Sequence, residues 1–130
     1  MIDTAVAIHL RDQSSEVMRR VSTLDEPPSI SIISQVELEN GVYAKPDLAD
    51  LRRLAVDVLL ARIEVLPFDA QAVAVYRRIV AARGYSRRRV ADRMIAATAI
   101  VHDLTLITMN GRDFSDIPGL ALTIWPNPVS

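Results

Sequence analysis

The chain has 130 residues, enough for one domain with a sizeable core, and its 50% hydrophobic and 24% charged residues are those of an ordinary soluble globular protein. Its net charge is −1, from 15 basic against 16 acidic residues, so bulk electrostatics alone calls for no nucleic-acid or membrane partner. The lack of cysteine excludes disulfides and thiolate-held zinc or iron–sulfur centres and favours a reducing compartment, and two histidines are too few for a histidine-built metal site.

Residues 1–7 read as a short strand, followed by a helix through about residue 24. No basic segment followed by an apolar core is visible at Met1 and no run is long and apolar enough to span a bilayer, so a cytoplasmic protein without membrane attachment is expected. Pro27 and Pro28 break the chain, and the β-branched residues of 29–33 read as a second strand. Ser34 then opens a helix that stops near Ala44, because Pro46 follows. In the next helix, residues 47–61, Leu48, Leu51, Leu54, Ala55, Val58 and Leu59 recur at the spacing of one buried stripe. Residues 63–66 form a strand ended by Pro67. Asp69 caps a helix running to Arg83, which Gly84 stops. A further helix over 88–102 carries Val90, Met94, Ala97 and Val101 along one face, and residues 104–108 and 120–125 are the last two strands. Alternating strands and helices predict an α/β fold with a mainly parallel central sheet, helices on both faces, and a single domain over residues 1–130.

In such a sheet ligands gather beyond the carboxyl ends of the strands, so acids at strand ends and adjacent helix starts draw attention. Asp3 lies in an apolar strand, where a carboxylate is costly to bury; it is either a site residue or a solvated residue at a frayed end. Ser34-Gln35-Val36-Glu37 matches a capping box, a local pattern that favours a capping role for Glu37 over a ligand role. Asp92 stands near the start of a very apolar helix, where the helix dipole alone would favour an acid. Asp113 follows a strand and the turn-forming pair Asn110-Gly111, and reads equally as a turn residue. Taken together, the four acids can meet on one rim of one sheet. Carboxylates so gathered repel unless a cation compensates, and all-oxygen ligands suit Mg²⁺ or Mn²⁺. Fourteen of the 15 basic residues are Arg, and Arg87, Arg88, Arg89 and Arg93 crowd one region; the guanidinium fork suits phosphate as well as acidic protein partners.

Met1-Ile2-Asp3-Thr4 and Ser34-Gln35-Val36-Glu37-Leu38-Glu39-Asn40-Gly41 resemble the first two motifs of PIN-domain nucleases. Ala91-Asp92-Arg93-Met94-Ile95-Ala96-Ala97-Thr98-Ala99 is similar to the third, and Thr108-Met109-Asn110-Gly111-Arg112-Asp113-Phe114, leading to Ile117-Pro118-Gly119-Leu120, to the fourth. The likeness covers essentially the whole chain, and its compact fourth motif resembles the VapC toxins of toxin–antitoxin pairs. It implies a three-layer PIN-like nuclease domain and an acidic set of Asp3, Glu37, Asp92 and Asp113. By the same likeness Asn110 shares or replaces the role of Asp113, Thr4 and Thr108 hydrogen-bond an acidic neighbour or a metal-bound water, and Ser34 both caps and supports the centre. The implied activity is an Mg²⁺-dependent endoribonuclease, with Mn²⁺ able to substitute, in which metal-activated water attacks an RNA phosphodiester in line and leaves a 5′-phosphate and a 3′-hydroxyl.

Arg89, Arg93 and Arg112 are candidate contacts to the RNA backbone, with surface salt bridging as the competing role. The family further implies a VapB-like antitoxin whose C-terminal segment occupies the cleft, homodimerisation and a larger toxin–antitoxin complex. The helix over 47–61 and the one before it resemble the regions that take part, although core packing explains the same residues. Ala5 departs from the family, which usually places Asn after the Asp-Thr pair, and the basic run before Asp92 is a second departure. A PIN-like binding or regulatory protein without catalysis is the alternative. An aspartyl-phosphate phosphatase would need an Asp-x-Asp pair where this chain has Asp3-Thr4-Ala5, and a response-regulator-like switch would need a late lysine that is missing.

Overall fold

The computed structural model describes residues 1–128. Four short strands, β1 (Ser29–Ser31), β2 (Glu64–Leu66), β3 (Leu106–Thr108) and β4 (Leu122–Ile124), form two parallel pairs, β1 with β2 and β3 with β4. The N-terminus stitches the pairs together. Ile2 N–H donates to Ser29 O at 2.9 Å, while Ile107 N–H donates to Met1 O at 2.8 Å and Asp3 N–H to Ile107 O at 3.0 Å. Ile2 thus bridges Ile107 in parallel, and the spatial order is β2, β1, the N-terminal segment, β3, β4.

Helices cover both faces of this sheet. Successive residues of the N-terminal segment point to opposite sides. Ile2 enters a core with Val6, Val17, Ile30, Leu38, Val42, Val56 and Trp125. Met1 joins a second core with Val75, Ile79, Ile95, Ala96, Ala97 and Phe114. The first core packs α1 (Thr4–Arg11), α2 (Ser15–Ser22), α3 (Ile32–Ala44) and α4 (Ala49–Leu60); the second packs α5 (Ala70–Arg83) and α6 (Val90–Val101). The expected mixed α/β fold with a parallel sheet between helical layers is the one observed. Among the described residues no helix is long and apolar enough to cross a membrane.

Several boundaries differ from the sequence expectation. The predicted strand over 1–7 stops almost at once, because the Asp3 carboxylate accepts the Val6 N–H at 3.0 Å and caps α1. The single helix expected through residue 24 is two helices. Gln13 adopts φ 60°, which no helix accommodates, and the Ser14 hydroxyl restarts the chain by accepting Val17 N–H. The strand expected over 29–33 ends at Ser31, whose hydroxyl caps α3 by accepting Ile33 N–H at 3.1 Å. Ser34 is therefore inside α3 rather than its cap, and the capping box with Glu37 does not form.

Downstream, Asp69 caps α5 and Gly84, at φ 82°, ends it, both as expected. A 3₁₀ turn (Arg87–Arg89) precedes α6, whose buried residues are Arg93, Ile95, Ala96, Ala97, Thr98 and Ala99; Val90, Met94 and Val101 of the predicted face are only half-buried. The largest correction concerns α4. Val56 is its fully buried residue, whereas Leu51, Leu54 and Val58 are 67%, 64% and 45% exposed. Most of the apolar stripe faces outward, while Leu59 stays half-buried against the first core.

Candidate active site

Each of the four acids is delivered by a different junction. Asp3 stands where the N-terminal segment enters α1, Glu37 in the second turn of α3, Asp92 in the first turn of α6, and Asp113 in a 3₁₀ turn (Gly111–Asp113) after β3. Parallel topology contributes: the N-terminal segment and β3 run the same way, so the elements that follow them begin at one edge of the sheet, and Ile2 N–H ties β1 alongside.

Asp3 is 4% exposed, so its carboxylate must find partners within the protein. One oxygen accepts Val6 N–H and the other accepts the hydroxyl of the wholly buried Thr108 at 2.5 Å. Thr108 in turn accepts Asn110 N–H at 2.9 Å, tying the turn after β3 to the end of the strand. Burial nevertheless holds Asp3 above the usual carboxylate range; the bonds from Thr108 and Val6 oppose it, and the charges of Glu37 and Asp113 add to it.

Glu37 is oriented by Thr4. The Thr4 hydroxyl lies 2.6 Å from Glu37 Oε1 and 2.9 Å from Ser34 Oγ. A hydroxyl carries one hydrogen, and the carboxylate can only accept, so Thr4 donates to Glu37 and is free to accept the hydrogen of Ser34. Ser34 is buried and Glu37 half-buried, which leaves this carboxylate fixed on one side and open on the other.

Asp92 is the electrostatic centre. Its pKa is pushed up to about 6, first by burial and then by the charges of Asp113, Glu37 and Asp3, with Arg89 opposing them. All three other acids are thus within electrostatic reach of this one carboxylate. Among the described residues, however, no three Asp, Glu, His or Cys side chains converge closely enough to enclose a metal ion. The two facts are compatible, since charges repel over ~4–6 Å while Mg²⁺–oxygen bonds are about 2.0–2.1 Å.

The remaining expected residues divide. Asn110 donates its side-chain amide to Asp113 Oδ2. It therefore orients Asp113. Arg112 is exposed beside Asp113. Arg93 is not available for a ligand: it is 4% exposed and Nη1 donates to Gly84 O at 2.6 Å, closing the α5–α6 turn. Arg89 sits at the site but is half-buried, and its Nη1 is directed to residues 113 and 116. Sequence reasoning overlooked Asp116, which is within 3.9 Å of Arg89 and accepts Arg83 Nε at its carbonyl at 2.6 Å. Only its proximity to Asp113 could have drawn attention to it.

Away from this rim, a groove of about 450 Å³ runs between α1, α2 and α4, lined by Leu10, Met18, Val21, Leu51, Leu54 and Val58 among others.

Residues 1–120 match the family model for the PIN domain. The chain is similar to a tRNA(fMet)-specific endonuclease VapC of Salmonella typhimurium, with 33% identity over 129 residues and 96% of each chain covered. In structure it is similar to VapBC2 from Rickettsia felis bound to a DNA fragment from their promoter, at TM-score 0.82 and 25% identity, covering 96% of this chain and 99% of that one. A toxin–antitoxin complex from Klebsiella pneumoniae is similar at TM-score 0.71 and 25% identity, covering 97% and 98%.

Proposed function

Since the chain belongs to the PIN-domain family, among its VapC-type members, we propose that it is the toxin of a toxin–antitoxin pair, a divalent-metal-dependent endoribonuclease built on Asp3, Glu37, Asp92 and Asp113. The observation that carries this reading is the delivery of these four acids from separate junctions into one another's field, where the other three charges and burial together raise Asp92. A fold does not gather like charges in a partly desolvated rim without a counter-charge to offset the cost.

The donor set suits Mg²⁺ or Mn²⁺: every side chain is a hard oxygen ligand and none is thiol or imidazole. Mg²⁺ keeps several waters and takes only one or two carboxylates directly, so three converging side chains are not required. Asp3, Glu37 and Asp92 would hold the ion, directly or through its waters, with Asp113 or Asn110 contributing. When bound, such an ion supplies charge for the phosphate oxygens and acidity for water. The protein's own part is to aim the donors. Thr108 and the α1 backbone fix Asp3, Thr4 fixes Glu37, and Asn110 fixes Asp113. Arg112, exposed and adjacent in sequence to Asp113, is the candidate contact to the RNA backbone. The expected products are a 5′-phosphate and a 3′-hydroxyl.

The exposed apolar groove over α4 supports a VapB-like antitoxin as partner, since monomers do not ordinarily leave Leu51, Leu54 and Val58 together in water. A homodimer and a larger toxin–antitoxin assembly complete the reading. The test is cleavage of single-stranded RNA by antitoxin-free protein in Mg²⁺, Mn²⁺ or EDTA, comparing wild type with Asp92→Asn. Cleavage only with metal, lost in the variant, supports the proposal. Metal-independent cleavage or a fully active variant overturns the mechanism, and folded protein inactive in every buffer points to the binding-only alternative.

A further inference from the structure

Asp92 and Asp113 reach the rim from separate elements, and their spacing is not set by the sheet: one lies in the first turn of α6, the other in the connection between β3 and β4. Phe114 and Ile117, 2% and 6% exposed, anchor the apolar side of that connection. Its polar side is moored by two arginines of the facing segment. Arg83 Nε donates to Asp116 O at 2.6 Å, while Arg89 Nη1 donates to Asp113 O at 3.4 Å and lies 3.9 Å from Asp116 Oδ1. Arg87 and Arg88, in the same 3₁₀ turn, are exposed; Arg89 alone of the three turns inward.

We propose that Arg89 is a positioning residue, a strut from the turn before α6 to residues 113 and 116 that fixes the separation of Asp113 from Asp92. The inference rests on the nuclease reading above and reassigns Arg89 from RNA contact to internal support. One nitrogen, Nη1, makes both contacts, and the pre-organised planar guanidinium holds it there with less loss of side-chain freedom than a flexible lysine stem would. Position in the chain agrees: Arg89 immediately precedes Val90, the first residue of α6, so its hold on residues 113 and 116 is transmitted to the turn carrying Asp92.

Charge and geometry give opposite signs, which makes the proposal decidable. Arg89 is a cation beside an acidic cluster, so by charge alone its removal tightens cation binding. A strut predicts the reverse. Three measurements on the full chain separate the roles: Mn²⁺ affinity without RNA, kcat and KM for single-stranded RNA, and amide hydrogen exchange over residues 110–116 in metal-free protein. For Arg89→Ala the expected results are Mn²⁺ affinity weakened about tenfold, in the range of lost outer-shell support, kcat reduced to a similar extent with KM little changed, and faster exchange across the segment. Arg89→Lys is expected to recover part of each, and Arg88→Ala to leave the exchange unaltered. Unchanged exchange overturns the strut, as does Mn²⁺ bound equally or more tightly with a raised KM, the signature of a phosphate contact. If wild-type protein bound no Mn²⁺, the nuclease reading would fall, while the exchange comparison would still decide whether Arg89 holds the segment.

Discussion

The acidic rim and the apolar groove are opposite kinds of surface. At the rim, polar groups are partly buried: Asp3 is 4% exposed and Asp92 is held at about 6 by its neighbours. In the groove, apolar groups are exposed: Leu51 and Leu54 keep 67% and 64% of their surface in contact with water. Each arrangement costs stability in the isolated chain, the first through desolvation and repulsion, the second through apolar hydration. The contrast teaches that one surface is costly through buried charge and the other through exposed apolar area, so the cation and the antitoxin segment proposed above would offset different costs.

Asp92→Asn breaks the comparison most sharply. It is expected to lower metal-dependent RNA cleavage by on the order of 10³-fold, a loss typical of removing an electrostatic group at a reaction centre, measured as initial rates at saturating Mg²⁺. The same change is expected to stabilise the metal-free protein at pH 7.5 by about 1 kcal/mol in a denaturant titration, the shift being discounted for solvent screening of a half-exposed group. A residue there for packing would move both quantities downward.

On the groove side, two neighbours on α4 should behave in opposite ways. Val56→Ala, at a fully buried position, is expected to cost about 2 kcal/mol of folding stability through transfer and cavity terms. Leu54→Ala is expected to change stability by less than about 0.5 kcal/mol, yet to weaken antitoxin capture by about tenfold in titration calorimetry, since it would delete an apolar anchor. Equal effects from the two would mean that α4 faces no partner.

The rim is also expected to respond to pH. Asp92 has a folded pKa raised above its unfolded value near 3.8, so the folded state prefers it protonated. Its contribution is therefore fully favourable below about 3.8 and is lost as pH rises through about 6. The gain in melting temperature on adding Mg²⁺ should accordingly be larger at pH 7.5 than at pH 5.5, where protons compete for the same carboxylate. A gain independent of pH would place the ion elsewhere. The smallest effect is expected from Asn110→Ala, which frees Asp113 but leaves it in place; about a tenfold fall in kcat with unchanged stability is expected.

Fold class was legible because burial imposes periodicity, and Asp69, Gly84 and Pro46 punctuate helices by local chemistry. No single acid was legible as a site residue, since each has an ordinary local reason to be where it is; their common place at strand ends and the family likeness raised them together. Glu37 illustrates the limit. Ser34 and Glu37 have the spacing of a capping box, but Ser31 wins the cap because β1 ends there, and both residues are released to meet Thr4. Arg93 shows the same limit from the other side, since one arginine in a basic run folds inward onto Gly84 while Arg87 and Arg88 face solvent.

By itself, the sequence determined the alternation of elements, the hard-oxygen character of the acidic residues and the absence of thiol chemistry, because periodicity and functional groups are properties of residues in order. Tertiary structure decided which carboxylates share a field, which arginine becomes a strut and which face of α4 meets water. Those depend on distances between residues as remote in the chain as Asp3 and Thr108, and local pattern carries no information about such distances.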